Sequence, residues 1–134
     1  MALDWKLSVV LGLIIVSVFP AISMYVWETS SGDILTEDKA VVTAVNFLKR
    51  SPTFRFDGIS DTARVVNVET LRMPWTWEVT VAFVCRNSGY GDRTGKITLP
   101  VLTPHEIRIA VSRGFVVSAV IDGRWDEIHQ RMIG

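Results

Sequence analysis

Hydrophobic positions are distributed very unevenly along the chain. Residues 7–27 (LSVVLGLIIVSVFPAISMYVW) form one uncharged run. As a helix rising 1.5 Å per residue the run would be about 31 Å long, enough to cross a bilayer core. Beyond it the pattern becomes mixed. Residues 29–33 (TSSGD) are small and polar and read as a linker, and Thr36 then reads as a helix N-cap. Glu37 and Asp38 suit the positive end of the helix dipole, and Lys49 and Arg50 the negative end. Val41, Ala44, Val45 and Leu48 recur at helical spacing with Phe47 beside the stripe, and Pro52 ends the helix. An amphipathic helix is therefore predicted directly after the linker.

The spacing then changes from helical to alternating. Residues 53–61 (TFRFDGISD) alternate briefly and turn at Asp57-Gly58, and residues 63–70 read as a strand. Residues 75–86 are the clearest strand, with Trp75, Trp77, Val79, Val81, Phe83 and Cys85 on one face. A glycine-rich loop at 87–95 (NSGYGDRTG) leads to a predicted strand at 96–102. Two further strands, 105–112 and 115–121, meet across Arg113-Gly114, a tight-hairpin signal. Asp122-Gly123 turns the chain into a predicted short helix at 124–132, where Trp125, Ile128 and Met132 share a face.

This order predicts an α+β domain at 36–134: an amphipathic helix packed on a four- to five-stranded antiparallel sheet, closed by a short C-terminal helix. Cystatin-like and PepSY-type domains share the plan, an analogy of architecture that does not fix function.

Charge decides how the chain is oriented. Lys6 and the terminal amine lie in the leader 1–6, whereas Glu28, Asp33, Glu37 and Asp38 follow the run before the first basic residue, Lys39. The positive-inside rule then puts residues 1–6 in the cytoplasm, 7–27 across the membrane as a signal anchor, and 28–35 outside as a linker to an extracytoplasmic domain. Trp5, Tyr25 and Trp27 stand where interfacial aromatics belong. The alternative is a secreted domain, with a signal peptide cleaved after the small-x-small sequence ending at Ser23. A balance of 14 basic and 14 acidic residues argues against nucleic acid as a partner.

Candidate chemistry is sparse. The single cysteine, Cys85, allows no internal disulfide and reads as a small buried hydrophobe. Residues 89–96 superficially suggest a phosphate loop. A P-loop would need glycine where Tyr90 stands and Ser or Thr where Ile97 stands, so the motif fails. What remains is a long loop presenting Tyr90, Asp92 and Arg93, or one whose glycines only make the turn, with Asp92 and Arg93 paired or solvated. Trp75 and Trp77 are either core or an apolar recognition surface at the strand start. His105, Asp126 and His129 are the available metal ligands, with Asp126 and His129 on one face of the predicted terminal helix. No nucleophile–base arrangement is visible, so no catalytic residue is assigned and no cofactor is expected.

Several segments together carry a resemblance: residues 51–54 (SPTF), 56–58 (FDG), 89–95 (GYGDRTG), 103–105 (TPH) and 117–127 (VSAVIDGRWDE). With them the chain resembles a family of small membrane-anchored archaeal proteins. The resemblance implies an extracytoplasmic domain and brings no activity, cofactor or partner. The resulting expectation is a single-pass, non-enzymatic protein- or peptide-binding module, such as an accessory subunit of a membrane-protein complex. Sheet-edge addition or the glycine-rich loop would make the contact. The alternative is an extracytoplasmic small-ligand or metal-binding module using Tyr90, Asp92, His105 and His129.

Overall fold

The computed structural model of the protein describes residues 36–72 and 75–134. The leader, the apolar run 7–27 and the linker 28–35 lie outside the described residues. Among the described residues no helix is long and apolar enough to cross a membrane.

Helix α1 (Glu37–Arg50) begins where Thr36 adopts an extended conformation and its hydroxyl accepts from the Lys39 amide at 3.4 Å. Its buried stripe is Ala40, Ala44 and Leu48, flanked by the partly buried Val41, Val45 and Phe47. Small alanines at two of the three innermost positions let the helix axis approach the sheet closely. Ser51 ends α1 by donating from both its amide and its hydroxyl to the Leu48 carbonyl. Pro52, unable to donate a backbone hydrogen bond, starts helix α2 (Pro52–Asp57) instead. The alternation predicted at 53–61 is thus replaced by α2 and a 3₁₀ turn at Ser60–Thr62.

The sheet has six antiparallel strands in sequential order: β1 (Arg64–Arg72), β2 (Thr76–Cys85), β3 (Thr103–Ser112), β4 (Phe115–Ile121), β5 (Trp125–Asp126) and β6 (Arg131–Met132). The α+β class and the antiparallel meander agree with the sequence. Besides residues 53–61, two predicted elements do not, and the described sheet has six strands where four or five were expected. The C-terminal helix is instead the β5–β6 hairpin, and residues 96–102 form a loop that pairs with no strand among the described residues.

Register explains the core. Val81 faces Ile107, which faces Ile121, and Val79 faces Ile109, which faces Ala119. These six side chains are 0–1 % exposed and form the floor on which α1 packs. Each fully buried aliphatic side chain contributes roughly 1.5–3 kcal/mol. At the Cys85 end the next rank is Phe83 opposite His105, so the core closes on a histidine rather than an aliphatic residue. That substitution marks where packing gives way to polar chemistry.

Candidate functional site

The Cys85 end of the sheet is capped by α2, the glycine-rich loop and the β5–β6 turn. Two buried carboxylates hold these three pieces together. Glu127 accepts from the Thr53 amide at 2.8 Å, the Thr53 hydroxyl at 2.6 Å and the Trp125 indole at 2.8 Å. The same Thr53 oxygen accepts from the Gly91 amide at 2.7 Å, so one hydroxyl joins the loop to the C-terminal turn. Asp57 forms an ion pair with Arg93 and also accepts from the Asn87 amide and side chain at 2.7 and 3.1 Å. Arg93 further donates to the carbonyls of Gly89 and Thr53, with its guanidinium 4.6 Å from the centre of the Phe56 ring.

Backbone geometry at Gly91 makes this possible. Its φ is +71°, and a Cβ there would lie 2.9 Å from Gln130 Oε1 and 3.1 Å from Trp125. Only glycine brings its amide onto Thr53 beneath that turn.

A second, partly exposed cluster adjoins the first. Asp122 accepts from Tyr90 at 3.0 Å and from the Glu106 amide at 2.9 Å, and lies 2.6 Å from His105 Nδ1. An ionised carboxylate only accepts, so in that contact His105 Nδ1 is the donor. Phe54, Phe83, His105, Tyr90 and Trp125 form a chain of ring contacts, the last pair stacked at 5.7 Å. Burial, with the Asp122 carboxylate at its hydroxyl, raises the Tyr90 phenol above its ordinary value.

Each expected site residue now has a place. Arg93 is 3 % exposed, so the expectation that the loop presents it to a partner is overturned: a guanidinium that deep requires the counter-charge Asp57 supplies. Tyr90 lies between His105 and Trp125. Asp92 is exposed and accepts from the amide and hydroxyl of Thr94, which lowers its carboxyl below the ordinary range. Trp77 belongs to the core, whereas Trp75 is 40 % exposed. His105 is buried against Asp122, while His129 and Asp126 pair on the surface at 2.8 Å. That last pair arises in the β5–β6 turn, where Asp126 also accepts the Ile128 and His129 amides, and not on a helix. Among the described residues no three His, Cys, Asp or Glu side chains converge on a point that would hold a metal ion.

Cys85 is fully buried beside the Asp57–Arg93 pair. Burial, reinforced by the Asp57 carboxylate, pushes its thiol up to about 12, so it is no nucleophile at neutral pH.

With Thr53, Asp57, Arg93 and Glu127 turned inward, the outer surface of the cap carries residues that, apart from Asp92, sequence reading did not single out as a site. A cleft of about 460 Å³ is lined by Arg50, Pro52, Arg55, Phe56, Asp92 and Thr94. A second, of about 330 Å³, shares Arg50 and Pro52 with it and continues past Phe47 to Ile128 and Gln130. Arg50 and Arg55 lie on either side of the α1–α2 junction, and only the observed Ser51-Pro52 break brings them to one cleft. Comparison with protein families, curated proteins and solved structures finds no match to this chain.

Proposed function

We propose that the protein is a single-pass, membrane-anchored, extracytoplasmic binding module without catalytic activity, and that its cleft at the α1–α2 junction takes an extended, acidic segment of a partner protein. The observation that carries this reading is the pairing of two guanidinium groups, Arg50 and Arg55, with Pro52 and the 37 % exposed Phe56 in one cleft. Arginine forks match carboxylates, and an aromatic floor suits the backbone and side-chain stems of a peptide. Among the described residues Asp92 is the one carboxylate lining that cleft, and it is already engaged by Thr94. Sheet-edge addition is the weaker contact: β1 is the long edge, but its pairing with β2 is interrupted near both ends, at Val65/Asn67 and Thr70/Arg72. Bulges of this kind twist an edge away from further pairing. The anchor itself rests on the uncharged run at 7–27 and on Lys6 preceding it.

Titrating the full-length chain in detergent micelles with an oligoglutamate peptide, followed by NMR, tests the cleft. Saturable shifts at Arg50, Arg55 and Phe56, absent with an oligolysine peptide, are expected. No saturable shift, or shifts centred elsewhere, would remove the reading.

A further inference from the structure

The end of the sheet opposite the cap has a composition of its own. There β1 finishes, β2 begins, and β3 turns into β4, so that Arg72 pairs with Thr76, Thr76 with Ser112 and Ser112 with Phe115. The two turns are tied to each other: the Arg113 amide donates to the Trp75 carbonyl at 3.0 Å, and the Thr76 and Ser112 hydroxyls lie 3.0 Å apart. Leu71, Trp75, Phe115 and Val117 are all exposed, Phe115 at 74 %. Trp75 and Arg113 both have positive φ, +69° and +52°. An exposed tryptophan in the left-handed region is uncommon and keeps its ring off the core that Trp77 enters two residues later. Residues 70–72, 75–77 and 110–118 include Arg72 and Arg113 but no Asp or Glu.

Glu69 and Glu78 stand opposite each other in the next rank, and beyond them toward this end the charged residues are the two arginines. Aromatic rings, aliphatic side chains and arginines are the chemistry of a bilayer interface containing anionic lipid. Chain direction points the same way. The C-terminal end of α1 is fastened to the cap through Ser51 and Thr53, so the chain enters the domain at the other end of a helix about 21 Å long. The linker 28–35 therefore joins the domain at the end of α1 that lies away from the cap.

We infer that the sheet end carrying Leu71, Arg72, Trp75, Arg113 and Phe115 rests on the headgroup layer of an anionic bilayer, leaving the Arg50–Arg55 cleft turned toward the surrounding solution. The inference rests on the membrane-anchored reading above. The competing surface is the apolar loop at the cap, where Ile97, Leu99, Val101 and Leu102 are also exposed.

Full-length chain carrying an environment-sensitive dye on Phe115→Cys or on Leu99→Cys would be reconstituted into phosphatidylcholine–phosphatidylglycerol vesicles. Cys85 is buried and stays unlabelled. Quenching by lipids spin-labelled near the headgroup is expected to be several-fold stronger at 115 than at 99, and to weaken at 115 with Arg72→Glu/Arg113→Glu while the chain still floats with vesicles. Equal quenching, or stronger quenching at 99, in chain that floats overturns the inference and leaves the anchor standing. Chain that does not float overturns both.

Discussion

At the scale of single residues, what decides the cap is burial of charge. Arg93 and Asp57 have side chains 3 % and 6 % exposed, so each is tolerable only because of the other. Replacing Asp57 by Asn strands the guanidinium and should lower stability in urea by about 3–5 kcal/mol. Adding Arg93→Met to that variant should cost much less than the two single losses summed, because the stranded charge is gone. Cys85 makes a second prediction. Its folded-state value of about 12 lies above the ordinary 9.0, so the stability it contributes is fully present below pH 9 and is lost as pH rises toward 12. Thiol titration with Ellman's reagent at pH 8 should show Cys85 silent in the folded chain and fully reactive in denaturant.

At the scale of elements, the glycine-rich loop is held from beneath by a network rather than by its own turn. Gly91 and Gly95 both have positive φ, but a Cβ meets Gln130 and Trp125 only at Gly91 and open space at Gly95. Gly91→Ala should therefore destabilise by more than about 1 kcal/mol, and more than Gly95→Ala, in thermal unfolding. The same network explains what was legible beforehand. Helix α1, β2 and the Arg113-Gly114 hairpin rest on local periodicity and turn chemistry, and they were readable to within a residue or two. The C-terminal hairpin was not, because Trp125, Ile128 and Met132 happen to fall at helical spacing. Their environment is set by Glu127 reaching Thr53, 74 residues away, which no local pattern encodes. Residues 96–102 alternate like a strand, yet among the described residues no neighbouring edge accepts them. The motif segments were visible as segments. That Thr53, Asp57, Arg93 and Glu127 face inward, leaving Arg50 and Arg55 at the cleft, depends on the long-range fold.

At the scale of the whole molecule, the parts divide the work. The Val79–Ile109–Ala119 and Val81–Ile107–Ile121 ranks with α1 supply a rigid body. The buried carboxylates fix a cap at one end, and an arginine-lined cleft lies on its outer side. Scaffold and proposed binding surface are thus carried by different residues that are close in sequence. The measurement that separates them most directly compares Arg50→Ala/Arg55→Ala with Thr53→Val/Glu127→Gln, each assayed for thermal stability and for binding of the oligoglutamate peptide. The surface pair should lose binding with an unchanged melting temperature, whereas the buried pair should lose several kcal/mol of stability through unsatisfied groups. Binding that survives loss of both arginines, or a buried pair that leaves stability unchanged, would contradict this division of roles.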